Sequence, residues 1–93
     1  PMPRPMYLFR CTYSPDRPNF CKVEKIAEAP FALERFASKE AAFRKFAEEN
    51  GIDTTAGRYS AFVERSKGLT FDHSALIVPT GNGNDYHRVA FYS

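Results

Sequence analysis

Hydrophobic spacing divides the chain into six predicted elements, one helical and five extended. Ser38 to Gly51, SKEAAFRKFAEENG, is the helix. Phe43, Phe46 and Ala47 fall at i, i+3 and i+4 and share a face that Ala42 widens. Ser38 offers an N-cap oxygen, Glu40 puts negative charge in the first turn, and Asn50-Gly51 is a stop signal after which Ile52 can fold back on Phe46 or Ala47. On the outer side, Glu40–Arg44, Arg44–Glu48 and Lys45–Glu49 have i,i+4 spacing, each pair worth roughly 0.2–0.5 kcal/mol. The Phe stripe reads as core before it reads as a filler for a partner's groove. The balanced outer charges read as a solvated face.

The remaining elements alternate with period two. In Met6–Tyr13, Tyr7, Phe9, Cys11 and Tyr13 point one way and Leu8, Arg10 and Thr12 the other. Ser14-Pro15-Asp16-Arg17-Pro18 is a turn by composition, and Phe20–Ala27 follows as a second strand. A hairpin centred near Asp16 sets Cys11 opposite Cys21, Phe9 opposite Val23 and Arg10 opposite Lys22. Residues 28–37 fit a helical turn, a longer helix or a lead-in strand. Asp53–Gly57 is a polar loop, and Arg58–Arg65 and Leu69–Pro79 are strands joined by the tight turn Ser66-Lys67-Gly68. Thr80–Asn84 is a hairpin loop and Asp85–Tyr92 the last strand. The order β-β-α-β-β-β predicts an α+β domain, a small antiparallel sheet of four to five strands packed on one main helix.

Composition narrows the class. Ninety-three residues with 43% hydrophobic and 15% aromatic content make one folded domain, and a net charge of +2 argues against an acidic mimic of DNA without demanding nucleic acid. The opening Pro1-Met2-Pro3-Arg4-Pro5 reads as an added or disordered tail before Met6, leaving 6–93 as the domain. No apolar run approaches the ~20 residues of a membrane span, so the expected setting is cytoplasmic, with reduced thiols.

Candidate chemistry is sparse. Nine residues separate Cys11 from Cys21 and thirteen separate His73 from His87, whereas structural zinc sites use ligands close in sequence, so no metal or other cofactor is expected. A Cys11–Cys21 disulfide requires the two to face each other across the hairpin; otherwise they are small apolar residues. Neither cysteine follows a glycine elbow or starts a helix, where a thiol would be activated. Asp72-His73 would alternate to opposite faces of a strand. Thr80-Gly81-Asn82-Gly83-Asn84 joins two strands and so reads as a turn, since phosphate-cradling glycines precede a helix. No catalytic residue is identified, and the expectation is a protein without enzymatic activity.

Aromatic and basic residues interleave at Tyr7-Leu8-Phe9-Arg10, Arg58-Tyr59, Phe62, Arg65-Ser66-Lys67 and His87-Arg88. Bases stack on aromatic rings while Arg and Lys hold phosphates, so Tyr7, Tyr59 and Phe62 are candidate stacking residues of a single-strand nucleic-acid module. Ala61-Phe62-Val63-Glu64 resembles part of the second signature of the RNA-recognition motif, and Met6-Tyr7-Leu8-Phe9 resembles the first. The spacing of Tyr59 from Phe62 and the basic Arg65 depart from that pattern, and the motif's fold needs a second helix.

In size, single-helix architecture and lack of a catalytic set, the chain resembles the small phage-encoded inhibitors of bacterial defence, anti-CRISPR proteins among them. Those proteins share no signature, so no residue role carries over. The resemblance implies docking on a protein or ribonucleoprotein complex in the host cytoplasm and blocking its access to nucleic acid. The cations nearest predicted turns or on the exposed strand face, Arg10, Arg17, Lys22, Arg58, Arg65 and Lys67, are the expected contact residues.

Overall fold

The computed structural model describes residues 4–32 and 36–91. Strands β1 (Pro5–Ser14), β2 (Arg17–Pro30), β3 (Arg58–Ser60), β6 (Ala75–Pro79) and β7 (Asp85–Phe91) form one antiparallel sheet in the order β2-β1-β7-β6-β3. Strands β4 (Val63–Ser66) and β5 (Leu69–Asp72) pair only with each other, as a separate two-stranded arm. The helix α1 (Lys39–Glu49) lies across one face of the large sheet. The α+β architecture is the expected one, with seven strands among the described residues in place of five.

The helix has the ends its sequence specifies. Ser38 Oγ accepts from the Ala41 amide at 3.1 Å. Gly51 takes φ 81°, and the amides of Gly51 and Ile52 return to the carbonyls of Glu48 and Ala47 at 3.0 and 3.1 Å, closing a Schellman motif. Ala42, Phe43, Phe46 and Ala47 are buried against Met6, Leu8, Leu76, Val78, Val89 and Phe91. Phe43 is fully buried and meets Phe91 and Tyr59 edge-to-face at 5.1 and 6.0 Å, geometries that aromatic pairs favour.

The outer helical pairs are only partly as spaced. Arg44 Nε does hold Glu40 at 2.9 Å, but its other nitrogens donate to the carbonyls of Thr54 and Gly57 at 2.6 and 3.0 Å. Arg44 thus ties the loop 53–57 to the helix. Glu48 accepts from the Thr54 hydroxyl at 2.9 Å. Gly57 closes this junction: a Cβ there would stand 2.9 Å from the Thr54 carbonyl oxygen and 3.2 Å from Leu76 and Val78.

Three sequence expectations are corrected. Arg58–Arg65 is two short strands, interrupted at Ala61-Phe62, and Leu69–Pro79 is two, interrupted at His73-Ser74. The second interruption has a visible cause: the Asp72 carboxylate accepts from the Ser74 amide at 2.9 Å, turning the chain out of the ladder. The first hairpin is also out of the expected register. Its turn does centre on Pro15-Asp16, with Ser14 opposite Arg17, but Tyr13 then faces Cys21, so three residues bulge from β2. Pro18, lying in that stretch, has no N–H to give a ladder. From Cys21 to Lys25 the two-residue slip keeps each side chain on its expected face but changes the partners: Cys11 faces Val23, Phe9 faces Lys25, and Arg10 faces Glu24 in place of Lys22; a second shift between Leu8 and Phe9 then moves Ala27 to the opposite face, across from Leu8. Both cysteines are free thiols. Of the open stretch 28–37, Glu28–Pro30 continues β2, and 33–35 lies outside the described residues.

Candidate functional site

Strand pairing assigns the paired sheet residues to two faces. The face toward α1 carries Met6 and Leu8 of β1, Ala27 and Ala29 of β2, Tyr59 of β3, Leu76 and Val78 of β6, and Val89 and Phe91 of β7. The same face continues past the helix with Arg10, Thr12, Lys22, Glu24, Asp85 and His87. The outer face carries Tyr7, Phe9, Cys11 and Tyr13, then Tyr86 and Arg88, with Val23 and Lys25 on one flank and Ile77 and Arg58 on the other.

The six expected contact cations therefore do not form one surface. Arg10 and Lys22 line a shared hollow of about 170 Å³ with Thr12 and Glu24. Within it Arg10 is already paired to Asp85 at 2.8 Å, which holds its guanidinium firmly charged. Burial and then Arg10 push the neighbouring His87 imidazole below its ordinary range, against a smaller pull from Asp85. Arg17 is exposed at the β1–β2 turn, Arg58 is on the outer face at the opposite sheet edge, and Arg65 and Lys67 are on the arm.

The three candidate stacking residues are likewise separated. Tyr7 is on the outer face, its ring parallel to Phe9 at 5.9 Å. Tyr59 points to the other side and packs on Phe43, which takes it out of any stacking surface. Phe62 is at the root of the arm, stacked on His73 at 5.4 Å. The interruption at Ala61-Phe62 separates the residues that resembled one RNA-recognition signature, so they do not share a central strand.

The arm has its own geometry. Lys67 and Gly68 take φ 53° and 76°, both left-handed as a two-residue type I′ turn requires. Pairing of Glu64 with Phe71 and Ser66 with Leu69 puts Phe62, Leu69 and Phe71 on one side of the ribbon, where they are 61%, 60% and 38% exposed. His73 closes that side with Nε2 3.1 Å from Glu64. At the root, Lys39 at the start of α1 donates to Asp72 at 2.8 Å and Ser74 at 3.0 Å, with Arg4 a further 3.8 Å contact. Burial raises the Asp72 carboxyl, but the hydrogen bonds from Lys39 and Ser74 outweigh it and hold the group at about 2.

Nucleophile chemistry finds little support. Cys11 is buried, and burial pushes its thiol up against the hydrogen bond with Tyr86. Burial followed by contacts with Tyr13 and Cys11 pushes the Tyr86 phenol up as well. Among the described residues, no three His, Cys, Asp or Glu side chains converge as a metal site would need. No helix of the described residues is long and apolar enough to cross a membrane. Searched against protein families, curated proteins and solved structures, the chain matches none.

Proposed function

We propose that this is a non-enzymatic binding protein that docks on a protein or ribonucleoprotein partner through the β4–β5 arm. The observation that carries the reading is the apolar side of that arm. Phe62, Leu69 and Phe71 share one side of the ribbon, the first two mostly exposed and the third partly so, whereas Phe43, Phe46 and Phe91 are buried in the core. A lone two-stranded ribbon is marginally stable in water, and a contiguous exposed apolar strip is usually an interaction surface. Arg65 and Lys67 bring cations to its turn, the arrangement of an apolar centre with a polar rim. The complementary partner surface is an apolar groove edged by acidic groups.

In its specific form the reading is inhibitory: the docked arm keeps nucleic acid from the partner, as the resemblance to anti-CRISPR proteins implies. The test places a photo-crosslinking phenylalanine analogue at Leu69, and separately at exposed Glu49, in lysate of the organism that encodes the protein. One discrete adduct is expected from position 69 and not from 49. Leu69→Ser with Phe71→Ser should remove the partner from a pull-down while circular dichroism stays unchanged. Equal adducts from both positions, or a partner retained by the folded double variant, would rule the arm out. Inhibition is then read as loss of nucleic-acid binding by the isolated partner when the protein is added in equal amount.

A further inference from the structure

We propose a second binding site, on the outer face of the large sheet, for single-stranded nucleic acid. It stands independently of the arm. Phe9 lies parallel to Tyr7 at 5.9 Å, near the middle of the sheet. Each ring has a cation beside it: Arg88 is 6.0 Å from the Phe9 centroid, and Lys25 is 5.5 Å from that of Tyr7. Along the same strand Tyr13 is 42% exposed, its ring 5.9 Å from that of Tyr86, and Val23, opposite Cys11, is 57% exposed.

The charge of this face selects the ligand. Among the described residues its cations are Lys25, Arg58 and Arg88, and the register places one carboxylate among them, Glu28 opposite Tyr7, which pairs with Lys25 at 3.5 Å. Arg88 is central and Arg58 lies two strands away, across Ile77, a disposition suited to successive phosphates. Flat rings in a row with cations between and beside them accept unstacked bases of any sequence, whereas a duplex keeps its bases stacked inside. An apolar protein surface would leave these cations unmatched.

The test is fluorescence anisotropy of the full chain with labelled oligothymidylate and oligouridylate at about 50 mM salt, with a matched duplex as comparison. Saturable binding to the single strands, weakening steeply with salt, is the expected result. Phe9→Ala and Arg88→Ala should each weaken it about tenfold. Arg88→Ala should also flatten the salt slope, while Phe9→Tyr restores affinity and Leu69→Ser leaves it unchanged. Circular dichroism establishes that each variant is folded. No saturable binding at low salt, tighter binding to the duplex, or folded Phe9→Ala and Arg88→Ala chains that bind like the parent would each overturn the proposal. So would a parent chain that sediments as a dimer and becomes a monomer on Phe9→Ala, because the face would then belong to a second copy. Loss of binding in Leu69→Ser alone would also overturn it, by assigning the nucleic acid to the arm.

Discussion

The helix-backed sheet and the β4–β5 arm are built from the same kind of hairpin, yet different forces hold them. In the sheet, side chains of β1, β6 and β7 interlock with α1 around Phe43, and removal of apolar surface from water is the dominant stabilisation. In the arm, Phe62 and Leu69 stay mostly in water and Phe71 partly so, and the ribbon is held by its ladder, a two-residue turn and the Lys39–Asp72–Ser74 cluster at its root. Local geometry and a polar anchor at its root shape the arm; burial fixes the sheet. A segment kept in shape without hiding its apolar side chains has them available for a partner.

The strongest test of that contrast compares apolar residues from the two regions. Phe43→Ala should cost about 3–5 kcal/mol, since the ring is fully buried among Phe31, Tyr59 and Phe91. Against a total of roughly 5–15 kcal/mol, that leaves the chain close to unfolding. Leu69→Ser with Phe71→Ser should change stability by less than about 0.5 kcal/mol. Urea titration followed by circular dichroism measures both. A large loss in the arm variant would mean that its apolar side belongs to the core, and the division into two regions would fail.

The next effect is at the seam between them. The Asp72 carboxyl is held at about 2 by Lys39 and Ser74, below its ordinary 3.8. A carboxylate lowered in the folded state adds stability above its unfolded value, and loses it as pH falls from about 4 toward 2. The loss should be on the order of 1–2 kcal/mol in that window. Asp72→Asn should be less stable than the parent at neutral pH and flatter between about pH 4 and 2. A parent and variant with parallel acid titrations would show that Asp72 does not hold the seam.

How far the chain discloses this arrangement depends on whether a feature is local. The helix is legible because Ser38, the 43/46/47 spacing and Asn50-Gly51 all act within one segment. The Lys67-Gly68 turn is legible for the same reason. The division of Leu69–Pro79 is not, because Asp72 turns the chain using Ser74 and is itself anchored by Lys39, 33 residues away. Alternation correctly groups Tyr7, Phe9, Cys11 and Tyr13, but which side the helix covers depends on contacts with Met6 and Leu8 that no period reveals. For that reason the sequence does not separate Phe9 and Arg88 from the other interleaved aromatics and cations, and does not bring Lys25 to them. Tyr59 shows the cost: its side follows from pairing with Leu76, and that places it against Phe43.

The smallest expected effect is the most discriminating. Lys67 holds a left-handed φ of 53°, a conformation that costs a side-chain-bearing residue roughly 1–2 kcal/mol and that asparagine tolerates better. Lys67→Asn gives the Asn-Gly pair favoured in this turn. If the arm opens separately from the core, its amides from Val63 to Asp72 should exchange with deuterium a few-fold more slowly, while the global unfolding midpoint stays in place. A midpoint that rises in step with the slowed exchange would instead show one cooperative unit, and the two regions would merge. The same variant removes one cation from the arm's turn. A partner gripped mainly by apolar contact should bind the stiffened arm at least as well, because less ordering remains to be done on docking. One that depends on the Lys67 charge should bind more weakly despite the stiffer turn. Exchange and affinity measured on this one chain thus separate how the arm is shaped from how it holds on.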